Sequence, residues 1–353
     1  MNHKFPFKWY LKDGYPAKGI EKNGLKVFSC FACGGGSTMG YKLAGFDVLG
    51  CNEIDKKIIE VYKLNHKPKY AFNQDIRDFR KLPELPEELF NLDILDGSPP
   101  CSSFSMAGNR EKDWGKQKQF TEGQAFQTLD DLFFEFIALA DRLKPKVVIS
   151  ENVKGLISGH AKGYVKQIFK EFDKAGYNTQ LFLLNAAFMG VPQKRERVFF
   201  ISTRKDLNLP KVKLEFNEKP IIGKEIKDNT PIQFRRKITP AVFEYWHLIK
   251  SGENVAKVHP KGHFFNHKKI DQMSVVPTLT TECYRMDAWE NGYCYSESEM
   301  LSIATFPQDY IYPDKNKLNG NNFLGMLTGM SVPPVMTAQI ATAVKEQLFN
   351  AEQ

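Results

Sequence analysis

The chain is short of cysteine, of long apolar runs and of the marks of export, and each shortage excludes a class of protein. Six cysteines in 353 residues (Cys30, Cys33, Cys51, Cys101, Cys283 and Cys294) are too few and too scattered for the framework of a disulfide-stapled secreted domain. No apolar run approaches the roughly 20 residues that a bilayer span requires. Met1 to Tyr15 mixes Lys, Asp and aromatics without the apolar stretch and cleavage site of a secretory signal, so a cytoplasmic protein with reduced thiols is expected. Cys30-Phe-Ala-Cys33 has C-x-x-C spacing, but no second pair follows and the segment runs into glycines. Two small residues packing a strand end account for it better than zinc or a redox pair. Repeats and low-complexity segments are also missing.

What is present is 42% hydrophobic and 13% aromatic residues, enough for a large core divided between one domain or two. The formal net charge is +8, and its distribution is uneven. Thr203 to Val275 holds 15 Lys/Arg against 8 Asp/Glu, leaving 34 against 33 elsewhere. Such a local excess is what phosphate contact requires, because Lys and Arg gain affinity by displacing condensed counterions. Charge alone leaves an ordinary solvated face equally open.

Short apolar runs alternate with helical patterns over the first two hundred residues. Strands are expected at Leu25 to Phe31, Phe46 to Asn52, Leu92 to Leu95, Val147 to Ser150, Thr179 to Leu184 and Val198 to Ser202, with another short one before Asp75. Helices fall after the glycine cluster to Ala44, at Lys56 to Leu64, Leu129 to Leu143 and Tyr164 to Ala175. This alternation predicts an α/β domain with a mostly parallel sheet, in which ligands sit at the carboxyl ends of the strands. Gly34 to Gly36, Glu53, Asp75, the Pro-Pro-Cys101 turn and Glu151 all fall at such ends. After about Thr203 the alternation stops, and Phe234-Arg-Arg-Lys237, Tyr245-Trp-His247 and the segment His259 to His267 mix basic and aromatic residues as nucleic-acid surfaces do. His259, His263 and His267 recur every four residues, but Pro260 and Gly262 break the helix that would align them on a metal, so none is expected.

Four features carry chemistry. Glycines after a first strand let a ligand approach the backbone, although a plain tight turn would look the same. Two prolines before Cys101 hold one thiol in a fixed direction, as a nucleophile needs, against the commoner fate of a buried structural cysteine. Glu151 follows the buried run Val147 to Ser150, where a carboxyl is costly unless paired or protonated; desolvated, it would donate a proton near neutrality. Arg195 and Arg197 are spaced for one face of a strand, where beside a cleft they could hold a base, carboxylate or phosphate, although a free-standing charge run is more often solvated surface.

In this order the pieces resemble the DNA cytosine-5 methyltransferase family, from about Leu25 to Phe349. Phe31-Ala-Cys-Gly-Gly-Gly36 looks like its first cofactor motif, Glu53 and Asp75 like its ribose and adenine positions, and Pro-Pro-Cys101 like its nucleophile motif. Glu151-Asn-Val153 and Gln193-Lys-Arg-Glu-Arg197 look like the next two motifs, and Thr278-Leu-Thr280, Phe306-Pro307 and Gly329-Met-Ser-Val-Pro333 like those that return the chain to the catalytic domain. The sequence departs from the pattern at Cys33, where a glycine is usual, and at Met330, where Asn is usual.

The resemblance implies a class I S-adenosylmethionine-dependent methyltransferase fold, doubly wound, with a smaller inserted target-recognition domain. Residues 1–203 would form the catalytic and cofactor domain, 204–276 the target-recognition domain, and 277–353 the returning motifs. It implies cofactor contacts from Phe31, Gly34, Gly35, Gly36, Glu53, Ile54, Asp75, Ile76, Ser98, Pro100, Leu132, Ser331 and Val332, and DNA contacts from Arg235, Arg236, Lys237, Lys261 and His263. The implied reaction flips a cytosine from double-stranded DNA, adds the Cys101 thiolate to carbon 6 while Glu151 protonates ring nitrogen 3, and methylates carbon 5. Loss of the carbon 5 proton and expulsion of Cys101 complete it. Arg197 would hold the cytosine carbonyl, with Arg195 and Asn152 supporting the pocket. S-adenosylhomocysteine would be the product, no metal would be needed, and a monomeric bacterial or phage modification enzyme, associated with the nucleoid through DNA, would act apart from any cognate restriction endonuclease. The competing readings are a tRNA cytosine-5 methyltransferase and an inactive DNA-binding regulator. Thr281-Glu-Cys283-Tyr284 only partly matches the Cys-Phe-Thr motif of the tRNA enzymes.

Overall fold

A computed structural model of the chain describes residues 3–15, 19–100, 131–158, 162–313 and 321–350, together with two short paired strands at Gln117–Lys118 and Gln127–Thr128. Seven strands form the central sheet: β1 (Lys26–Cys30), β2 (Asp47–Asn52), β3 (Tyr70–Phe72), β4 (Ile94–Gly97), β5 (Val147–Val153), β6 (Tyr177–Asn185) and β7 (Glu196–Arg204). Their order is β3-β2-β1-β4-β5-β7-β6. β1 to β5 are mutually parallel, and β7 lies antiparallel between β5 and β6. This is the expected α/β sheet, and the chain reverses at β1, where β2 and β3 extend one way and β4 the other. A crevice for ligands belongs at that reversal.

Burial on both faces explains why the central strands read as apolar runs. Alternate residues of a strand point to opposite sides. Val27, Ile94, Val147, Ile149, Phe199 and Ile201 therefore enter one hydrophobic core, and Phe28, Leu95, Val148, Val198 and Phe200 enter another across the sheet. The second core is closed by α3 (Leu132–Leu143), whose Phe133, Phe136, Leu139 and Ala140 are buried, and by α4 (Lys162–Lys174) through Ile168 and Phe172. Full burial of one such phenylalanine contributes roughly 1.5–3 kcal/mol.

The first core is closed from the far end of the chain. α1 (Gly36–Leu43) packs on the helix Pro334–Val344, and the approach is so close that a Cβ at Gly40 would lie 2.4 Å from Pro334 O. α2 (Lys56–His66) completes the layer, its N-terminus capped by the Asp55 carboxylate, which accepts from Lys57 N at 2.8 Å. Leu279, Met300, Phe306, Leu327, Ile340 and Leu348 thus belong physically with β1 and α1.

A small separate core lies apart from these two. Ile238, Val242, Trp246, Ile249 and Val255 pack with Ala288 and Cys294, and Lys268–Lys269 pairs with Asp287–Ala288. Val212, Leu214, Ile221 and Ile226, by contrast, join the first large core. Among the described residues, no helix is long and apolar enough to cross a membrane.

Candidate active site

At the end of β1 the chain turns sharply through three left-handed residues, Phe31 (φ 53°), Cys33 (φ 46°) and Gly35 (φ 77°). Cys33 thus holds a backbone shape that glycine adopts freely and an L-residue adopts at roughly 1–2 kcal/mol. The departure from the family pattern at this position leaves the turn in place. Cys33 N donates to Glu53 Oε2 at 2.8 Å, so the turn is tied to the end of β2. Glu53 also accepts from Asp55 N, and burial pushes its carboxyl above the usual range.

Asp75 follows β3, caps the short helix Ile76–Phe79 by accepting from Arg77 N, and pairs with the Arg77 guanidinium at 3.1 Å. The loop from β1, Glu53 and Asp75 therefore stand at three neighbouring strand ends. Ile54 and Ser98 are half-buried and Pro100 is exposed, whereas the side chains of Ile76 and Leu132 are sunk in the second core with Phe79 and Phe136. Ser331 and Val332 come from the other end of the sequence: a Cβ on Gly36 would lie 2.1 Å from Val332 O.

The next strand ends carry the Pro-Pro turn, Glu151 and Asn152. β4 runs into Gly97-Ser-Pro-Pro100, and Asn152 Nδ2, 3% exposed, donates to Pro99 O at 3.1 Å. Cys101 lies outside the described residues. Glu151 stands on β5 opposite Phe199 of β7, and Arg197, two residues from Phe199, shares its face. Arg197 Nε lies 2.9 Å from Glu151 Oε1, with the two side chains 15% and 12% exposed. The carboxyl is thus paired, which is how a group in this position is kept at tolerable cost.

Arg195 is buried in a different direction. At 1% exposure it donates to Leu279 O and Gly329 O, binding both C-terminal segments to the site. Burial works against its charge, as does Arg197, while Glu151 supports it. Gln193, which residue type alone did not single out, bonds Ile303 O through its amide and Leu279 N through its carbonyl. The segment 193–197 is a bracket between the sheet and the returning chain, with Arg197 as its projecting member.

Among the residues expected to meet DNA, Arg235 needs correction. It is 7% exposed and is consumed internally, donating to both Glu299 oxygens at 2.8 Å and to Asp228 Oδ1 at 2.6 Å. Glu299 also accepts from Trp289 Nε1 and Ser296 N. A buried guanidinium is stable only with such partners, and none of its donors faces outward. Arg236 is half-buried with its guanidinium over the Tyr284 ring, and exposed Lys237 lies beside the Phe243 and Tyr293 rings. Lys261 and His263 are exposed, and His263 stacks on His259 with ring centroids 4.9 Å apart.

A left-handed glycine turn, two carboxylates at strand ends and an arginine-paired glutamate thus line the carboxyl edge of a doubly wound sheet. The chain belongs to the C-5 cytosine-specific DNA methylase family, whose model matches residues 25–346. It is 39% identical over 207 residues to the type II methyltransferase M.FnuDI of Fusobacterium nucleatum, a match covering 58% of this chain and 53% of that one. It is 36% identical over 191 residues to M.NgoPII of Neisseria gonorrhoeae, covering 53% and 50%. The chain thus spans about half the length of these two relatives in the matched part. With M.HindV of Haemophilus influenzae the identity is 25% over 335 residues, covering 91% and 96%. A crystal structure of a DNA modification methyltransferase encoded within an Escherichia coli prophage superposes with a TM-score of 0.67 at 18% identity, covering 93% of this chain and all of that one. Spodoptera frugiperda DNMT2 superposes at 0.64 with 17% identity, covering 91% and 99%. At these identities the two structures speak for the fold alone.

Proposed function

We propose that the protein methylates carbon 5 of a cytosine flipped out of double-stranded DNA, with S-adenosylmethionine as methyl donor and Cys101 as nucleophile. The observation that carries this reading is the Glu151–Arg197 pair beside a Pro-Pro turn that Asn152 holds through Pro99 O.

The residues present suit the donor. Glu53, buried at a strand end, keeps acceptor capacity beyond its bonds from the backbone of Cys33, Ile54 and Asp55, which matches a ribose diol. Asp75 offers a carboxylate to an amine, and the left-handed turn at residues 31–35 brings backbone close to a ligand. Phe31, Gly34, Gly35, Gly36, Ile54, Ser98, Pro100, Ser331 and Val332 would complete the contacts. Bound there, S-adenosylmethionine supplies an electrophilic methyl group.

The protein's part is acid, nucleophile and grip. Once released from Arg197 and protonated from solvent, Glu151 delivers that proton to cytosine nitrogen 3, which withdraws electrons from carbon 6 and lets the Cys101 thiolate bond to it. Carbon 5 gains electron density in return and becomes the methyl acceptor. Abstraction of its proton restores the double bond and expels the thiolate. Arg197 neutralises Glu151 before the base arrives and offers its remaining donors to the cytosine carbonyl. Arg195 and Asn152 position these groups without touching the base.

Recognition belongs to residues 204–276 in this proposal, and the small core at Ile238 to Val255 supports a unit there that draws in Ala288 and Cys294. A monomeric cytoplasmic enzyme of bacterial or phage origin, beside a separate endonuclease, fits relatives named as type II methyltransferases. The test is incubation with S-adenosylmethionine and a duplex carrying 5-fluorocytosine, where a covalent protein–DNA adduct is expected. Equal trapping by Cys101→Ser would sink the chemistry, and labelling of tRNA alone would sink the choice of DNA.

A further inference from the structure

Two side chains far apart in sequence converge on one carbonyl of the glycine turn. His66 Nε2, from the last residue of α2, lies 3.1 Å from Gly34 O, and Tyr310 Oη lies 2.5 Å from the same oxygen. A carbonyl only accepts, so both groups donate. His66 is 5% exposed and Tyr310 is fully buried, which turns the carbonyl into the protein rather than toward the crevice. The N–H of the same peptide, Gly35 N, donates to Ala32 O at 2.8 Å. Both ends of the planar 34–35 peptide are therefore held, and its rotation is blocked.

The surroundings fit a single state of the imidazole. Burial, aided by Lys42, pushes His66 down to about 3, so the ring is neutral with its one hydrogen on Nε2. Its Nδ1 has no hydrogen-bond partner among the described residues, where the ring is held by its contact with Gly34 and by packing on Tyr62, 4.5 Å between centroids. A Cβ on Gly35 would lie 2.2 Å from His66 Nε2, so the ring and the glycine are matched in shape.

We propose that His66 and Tyr310 are positioning residues for the methyl donor, setting the orientation of the 34–35 peptide and thereby the shape of the turn that receives it. The proposal rests on the cofactor reading given above. Tyr310 follows Phe306-Pro307, so the same contact makes donor binding depend on the returning C-terminal segment.

The test uses the full chain and isothermal titration with S-adenosylmethionine and S-adenosylhomocysteine, alongside duplex DNA binding and a thermal melt. His66→Ala is expected to weaken both ligands roughly tenfold, the worth of about one buried hydrogen bond with its partner geometry. DNA affinity should stay within about twofold, and His66→Gln, whose amide can donate to the same oxygen, should recover most of the loss. Tyr310→Phe removes one hydroxyl and carries the same expectation, whether or not His66→Ala folds. Donor binding unchanged in Tyr310→Phe and in folded His66→Ala would overturn the proposal. So would parallel loss of donor and DNA binding without rescue by Gln, the mark of a merely structural role. No binding of either ligand by the wild-type chain would instead overturn the cofactor reading itself.

Discussion

Arg197 Nε reaches Glu151 Oε1 at 2.9 Å across the antiparallel strands β7 and β5. One strand thus carries the carboxylate and its antiparallel neighbour the cation that pairs with it. Glu151→Gln keeps the shape and cannot act as the proposed acid. Single-turnover methyl transfer should fall on the order of 10²–10⁴-fold, with DNA affinity nearly unchanged. A loss below tenfold would remove Glu151 from the chemistry.

The five described cysteines share one electrostatic feature. Burial pushes Cys33 and Cys294 up to about 12, and it raises Cys30, Cys51 and Cys283 as well. These thiols stay protonated and inert at pH 8, because the thiolate is the reactive form. Native protein treated with iodoacetamide should therefore take up label at Cys101 alone, read by peptide mass spectrometry. Labelling at Cys33 or Cys30 in the folded protein would contradict this.

Asp96 makes stability depend on pH. It is 5% exposed on β4, accepts from Ser29 Oγ at 2.8 Å and Tyr41 Oη at 3.1 Å, and burial pushes it up to about 7. Between about pH 4 and 7 the unfolded chain releases this proton while the folded chain keeps it. The contribution is therefore fully present below pH 4 and is lost as pH rises through 7, at most on the order of 4 kcal/mol. Asp96→Asn removes the slope. Its urea midpoint relative to wild type should rise from pH 5 to pH 8, and a constant difference would count against the assignment.

Lys237, Lys261 and Arg235 should part company under mutation. Lys237→Ala and Lys261→Ala are each expected to lower the salt slope of DNA binding by about 1 without moving the melting temperature. Arg235→Ala leaves Glu299 buried without its cation and should cost about 3–5 kcal/mol of stability. Chemical denaturation beside salt titrations distinguishes the two. A stable Arg235→Ala with a reduced salt slope would restore it to the DNA surface.

The central strands β1, β4 and β5 were legible because burial on both faces writes them as unbroken apolar runs. The glycine turn, Glu53, Asp75 and Glu151 were placed at strand ends by pattern, whereas Asn152 and the role of Arg197 came from the family resemblance. Cys101 was singled out by its two prolines, taken as nucleophile through the motifs that accompany it, and lies outside the described residues. The antiparallel direction of β7 was not legible, since a strand's pattern is the same read either way.

Local pattern determined where strands and helices form and which polar residues stand at their ends, because periodicity and turn chemistry act over a few residues. The destination of each long side chain was decided only by the tertiary structure. Arg235 sits in a run of three cations that looks like a DNA contact, yet Glu299, 64 residues on, takes it into the interior. His66 looks like an ordinary helix-end residue until Gly34 and Tyr310 are folded against it. Both outcomes depend on contacts between distant segments, and a hydrogen bond buried by such packing is invisible to any reading of neighbours along the chain.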